Sequence, residues 1–84
     1  MRTILEEGGY RVFVHFNEDG HHVPHVHVET RSGEVCVALD DESTRPYLLA
    51  RSRTTNKADV RAALRVVEQN QEMCIARWEE YHAA

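Results

Sequence analysis

Five of the six histidines in this chain of 84 residues, His15, His21, His22, His25 and His27, fall within thirteen positions. The densest part is HHVPHVHV, residues 21–28, with Pro24 inside it. In an extended chain His25 and His27 point to one side about 7 Å apart, and Val26 and Val28 to the other. Two imidazoles so placed suit two kinds of chemistry. They can reach one zinc ion, with His15 from a neighbouring strand or His21 from the preceding loop as a third ligand and a position left for water. They can also work without metal as general acid and base, passing a proton each way while RNA is cleaved by its own 2′-hydroxyl. Arg11 on the same face, or the Arg51/Arg53 segment if it folds nearby, would then hold the phosphate. Neither HExxH nor CxxC spacing accompanies the pair. The plain alternative is a set of solvated histidines hydrogen-bonded to Glu29 or Glu34.

The elements that must position these side chains are legible over most of the chain. Ile4 and Leu5 begin a short strand that Gly8-Gly9 interrupts. Tyr10 to Phe16 alternates, with Tyr10, Val12, Val14 and Phe16 on one side and Arg11, Phe13 and His15 on the other. Asn17 to Gly20 has turn composition. Pro24 cannot donate to a ladder and marks the start of a second strand, His25 to Arg31. Ser32-Gly33 punctuates, and Glu34 to Leu39 is a third strand. A two-residue turn at Ser32-Gly33 sets Arg31 opposite Glu34 and Val28 opposite Val37; a four-residue turn sets Glu29 against Glu34, a like-charge pair, and is disfavoured. Either way the valines share one face. The opposite face collects Arg11, Phe13, His15, His25, His27, Glu29, Glu34 and Cys36. There Phe13 reads as an apolar anchor within a polar rim, with Arg11, His15, Glu29 and Glu34 as the rim of an exposed binding surface.

Asp40 to Thr55 carries little pattern: a loop, then Pro46 to Ala50 as a short strand or a single helical turn. From Asn56 the pattern clears. Asn56 is a good N-cap, and Asp59 favours the positive start of a helix. Val60, Leu64, Val67, Gln71, Cys74, Trp78 and Tyr81 recur at spacings of three and four with no Gly or Pro between them. This stripe predicts one helix to about Tyr81, roughly 37 Å long. Its Trp and Tyr read as packing against the sheet.

A composition of 42 % hydrophobic and 29 % charged residues fits one soluble domain over residues 1–84, with a thin core for which dimerisation would help. The net charge of −4 excludes a general nucleic-acid coat. The charge is unevenly placed, however. Residues 1–44 hold nine acids and three arginines, whereas residues 45–66 hold Arg45, Arg51, Arg53, Lys57, Arg61 and Arg65 against Asp59 alone. Arg51, Arg53, Lys57, Arg61 and Arg65 are therefore candidate phosphate contacts, and RNA is a conceivable ligand; a solvated helix face is the plainer reading. Two cysteines, Cys36 and Cys74, make no disulfide framework and read as reduced packing residues. No apolar run approaches a membrane span, and MRTILEEGG has no signal-peptide core. A cytoplasmic location without membrane contact is expected.

Gly9-Tyr10-Arg11, Asn17-Glu18, His21, Pro24-His25-Val26-His27-Val28, Val67-Glu68-Gln69-Asn70 and Trp78-Glu79-Glu80-Tyr81 together resemble the bacterial domain of unknown function 4160 family. Val23 departs from it, standing where the family has the first of two prolines. The resemblance implies genes that often neighbour small partner genes, in arrangements like toxin–antitoxin pairs. The expected fold is α+β, a three- to four-stranded antiparallel meander packed against one long C-terminal helix. The expected function is binding of a cognate small protein, or of a second copy as a homodimer, through the histidine-bearing face. The alternative is a small ribonuclease or hydrolase using His25 and His27, with or without zinc.

Overall fold

Val12 and Val14, Val26 and Val28, and Val35 and Val37 each stand two residues apart on consecutive strands, and all six are buried together with Leu39. That alternation puts one apolar face on a sheet, and two helices cover it. The computed structural model describes residues 2–15, 24–39 and 44–82. Five strands, β1 (Arg2–Glu7), β2 (Tyr10–Val14), β3 (His25–Glu29), β4 (Glu34–Ala38) and β5 (Tyr47–Arg51), lie side by side in chain order. Every neighbouring pair is antiparallel. Helices α1 (Lys57–Gln69) and α2 (Gln71–His82) follow. The α+β meander is as expected, but the described residues form five strands rather than three or four and two helices rather than one.

Both extra strands come from short segments with weak alternation. β1 joins β2 through Gly8 (φ 59°) and Gly9 (φ 88°), a pair of positive φ angles that a tight hairpin requires and glycine supplies without steric cost. Its Arg2, Glu6 and Glu7 are exposed, and a bulge between Thr3 and Leu5 interrupts its pairing. β5 is the segment read as a strand or a helical turn; it is a strand, exposed along its whole length.

The β3–β4 register is the four-residue one, with Glu29 opposite Glu34 and Val28 opposite Val35. The expectation of Arg31 opposite Glu34 fails because each carboxylate has its own side-chain partner. Arg11 Nη2 lies 2.5 Å from Glu29 Oε2, and His27 Nδ1 lies 3.0 Å from Glu34 Oε2. The turn is also locked by a side chain. Thr30 Oγ1 accepts from Ser32 N (3.2 Å) and Gly33 N (3.0 Å), satisfying two donors the turn would otherwise strand. Gly33 is tightly enclosed: a Cβ there would collide with Ser52 Oγ and Thr55 Oγ1.

Asn56 caps α1 as expected, its Oδ1 accepting from Asp59 N at 2.8 Å. Asp59 in turn ties the helix to the sheet. It accepts from Ser32 Oγ (2.5 Å) in the β3–β4 turn and from Tyr10 Oη (2.9 Å) on β2. The Ser32 bond, then the Tyr10 bond, hold the Asp59 carboxyl below its ordinary value, while the same Asp59 bond raises Tyr10. The predicted stripe is buried or half-buried throughout, from Val60 to Tyr81. Gln71 fits because its Nε2 donates to Leu39 O (2.9 Å) and Thr44 O (2.7 Å). Cys74 is fully buried, and burial pushes its thiol up to about 12. The helix breaks at Asn70, whose Nδ2 donates back to Val66 O at 2.8 Å. Such local back-bonding competes with the helical ladder and ends it without Gly or Pro.

Candidate functional site

The antiparallel registers lay the second face of the sheet out in rows. Arg11, Glu29 and Glu34 form one row across β2, β3 and β4. Phe13, His27, Cys36 and Ala50 form the next, and His25 with Ala38 and Tyr47 a third. This face was expected to lie open to solvent. It does not: Phe13 is 2 % exposed, His25 3 %, His27 9 % and Cys36 9 %. The side chains on this face are mostly rings rather than valines. His27 stacks on Phe13 at 5.4 Å between centroids, and His15 stands edge-on to both, 5.2 Å from Phe13 and 4.5 Å from His27. His25 meets His27 edge-on at 5.4 Å.

His25 and His27 therefore do lie together on the face away from the helices, as a pair, but as buried side chains. One ligand-capable atom from each of His25, His27 and Cys36 lies within 4.8 Å of the others. His15, His27 and Glu34 make a second such group, half-exposed at one end. His21 falls outside the described residues. The sequence pattern assigns Cys36 to packing only. The register expected from the turn would have set Cys36 opposite Glu29; the observed one sets it opposite His27. That shift of two residues is what hid the thiol from a reading of the sequence.

Arg11 is committed locally. Its guanidinium caps the Phe13 ring at 4.7 Å, pairs with Glu29 and donates to Thr3 Oγ1 at 3.1 Å. As a phosphate holder it would first have to give up these partners. The other cations are divided. Arg51 shares a shallow depression of about 330 Å³ with His27, Glu34, Cys36, Ala50 and Ser52. Arg61 and Arg65 line a larger one of about 720 Å³ with Arg45, Pro46 and Glu68. Arg53 and Lys57 are exposed and belong to neither. The structure thus does not gather the five candidate phosphate contacts into one patch.

A surface that the sequence did not announce is β5 itself. Tyr47 (43 %), Leu48 (39 %) and Leu49 (40 %) are large apolar residues exposed on the last strand of the sheet. Arg45, Arg51 and Arg53 flank them. No helix among the described residues is long and apolar enough to cross a membrane.

No curated protein and no solved structure matches the sequence. A family model described as domain of unknown function 4160 matches residues 9–79, from the β1–β2 turn into α2 and across the whole histidine segment. The chain belongs to the domain of unknown function 4160 family.

Proposed function

We propose that the chain is a small cytoplasmic protein-binding module, one half of a toxin–antitoxin-like pair, and that its contact surface is the β5 edge rather than the histidine face. The observation that carries this reading is the exposure of Tyr47, Leu48 and Leu49 on a terminal strand. A terminal strand offers unpaired backbone groups to an extended segment of another chain, and apolar side chains beside it supply the anchor. Charge selects the partner. A second copy pairing antiparallel about Leu49 would bring Arg45 toward Arg53, which is repulsive. An acidic segment would meet Arg45, Arg51 and Arg53 favourably, with Arg61 and Arg65 lining the adjacent depression. The gene pairing implied by the family resemblance supplies the cognate small protein. Co-expression with the neighbouring gene product tests this. A Leu48→Lys/Leu49→Lys variant, folded by circular dichroism, should weaken the complex roughly tenfold or more. Undiminished binding by that variant, or a homodimer with no affinity for the neighbour, refutes it.

One observation favours a second reading, RNA cleavage or a related hydrolysis. His27 Nδ1 lies 3.0 Å from Glu34 Oε2 at a depression that Arg51 also lines. A carboxylate-oriented imidazole beside a cation is the arrangement general acid–base work on a phosphate needs. Purified protein should then cleave RNA and lose that activity in His27→Ala; no turnover by the native chain ends this reading.

A further inference from the structure

We propose that His25, His27 and Cys36 form a binding site for a single borderline-soft divalent cation, of which Zn²⁺ is the type. This site shares no residue with the β5 contact surface, so its test stands apart from that one. Three observations carry it. The first is the ligand set. Two imidazoles and a thiol, with donor atoms within 4.8 Å of one another, need only a modest contraction to meet at one ion. Nitrogen and sulfur donors of this kind favour zinc over magnesium or calcium, which take oxygen. The three sit on a rigid support, since His27 and Cys36 are directly paired across β3 and β4 and His25 is two residues along β3.

The second is an orienting carboxylate. Glu34 Oε2 lies 3.0 Å from His27 Nδ1, so Nδ1–H donates to Glu34 and ligation falls to Nε2. Metal-bound histidines are characteristically held by such a partner, which fixes the tautomer and raises the basicity of the ring. The charges also balance. When Cys36 gives up its thiol proton to solvent, one thiolate and the Glu34 carboxylate neutralise a divalent ion in a buried setting.

The third is burial without an apolar composition. A sheet face that had only to exclude water would be filled as the opposite face is, with valine. Here His25, His27 and Cys36 are nearly as inaccessible as those valines while carrying nitrogen and sulfur donor atoms that water exclusion alone does not call for. A second group, His15, His27 and Glu34, also includes His27. Its Glu34 is half-exposed, which makes it the wetter and weaker choice. Three protein ligands leave a fourth position for water or for an incoming ligand atom.

Cobalt(II) is the probe, titrated into the reduced full-length protein and then displaced by zinc. One equivalent should bind, giving tetrahedral visible bands and a near-ultraviolet thiolate-to-cobalt charge-transfer band. The band should survive in Cys74→Ser and vanish in Cys36→Ser. Glu34→Gln should weaken binding about 10- to 100-fold, the range seen when an orienting partner of a ligand is lost. The wild-type titration needs no variant to fold. Absence of saturable binding overturns the proposal. So does stoichiometric binding without a thiolate band, which would assign the ion to the histidine–carboxylate group instead.

Discussion

The two faces of this sheet are buried to a similar depth by different means. Val12, Val14, Val26, Val28, Val35 and Val37 disappear beneath α1 and α2. Phe13, His25, His27 and Cys36 disappear on the other side, where the contacts include those of rings with one another, of Arg11 with Phe13 and of His27 with Glu34. The first face can exchange one aliphatic residue for another of similar volume and keep its role. The second adds to the Phe13 ring two imidazoles and a thiol, donor-bearing groups that the valine face lacks. Equal burial with unequal chemistry separates the scaffold of this protein from its candidate site.

The comparison can be broken or sharpened by substitution. The largest effect is expected from Phe13→Ala, which should cost about 3–5 kcal/mol in urea unfolding, alongside about 2–5 kcal/mol for Leu39→Ala on the valine face. A loss under roughly 1 kcal/mol at Phe13 would mean that the histidine face is an ordinary surface. Gly33→Ala comes next at about 1–3 kcal/mol, because its new methyl group must displace Ser52 and Thr55, which help to fix β4 against the approach to α1. Cys36→Val should change the stability of the metal-free protein by less than about 1.5 kcal/mol while removing cobalt binding. Severe destabilisation without metal would make the thiol a packing group after all.

The smallest expected effect is in acid. The Asp59 carboxyl is held below its ordinary value in the folded state, so its contribution is present above the unfolded-state value and is lost as pH falls through the folded one. Unfolding at graded pH should therefore show a decline below about pH 4 that Asp59→Asn flattens. An unchanged acid limb in that variant would mean that the Ser32 and Tyr10 hydrogen bonds do not couple the carboxyl to folding.

The fold is legible in the sequence where one periodicity decides it. Alternating valines identified the core face, and Asn56 with Asp59 marked the start of α1. The fold is not legible where the answer depends on a third element. Glu29 facing Glu34 looks unfavourable for two strands considered alone and becomes acceptable once Arg11 on β2 and His27 on β3 are in place. That misjudged register carried a second error with it, since the neighbour of Cys36 changed from Glu29 to His27. Tyr47 to Arg51 shows no alternation because both of its faces are exposed, so its strand character comes from pairing with β4. The halt at Asn70 has a sequence cause, an amide able to bond its own helix, but many mid-helix asparagines do not act on it. Alternation assigned the histidines to the correct side of the sheet; how deep they lie depends on tertiary neighbours that no period encodes.

The two margins of the sheet are unalike in a way that bears on assembly. β1 ends the sheet with the exposed charges of Arg2, Glu6 and Glu7, which discourage another chain from adding there, while a register irregularity occurs in the β1–β2 and β4–β5 pairings alike. β5 ends it with tyrosine and leucine between arginines. Growth from a molecule with one receptive margin stops after a single addition, since the newcomer finds no second foothold on the far side. Association of this chain should therefore yield discrete one-to-one complexes rather than filaments.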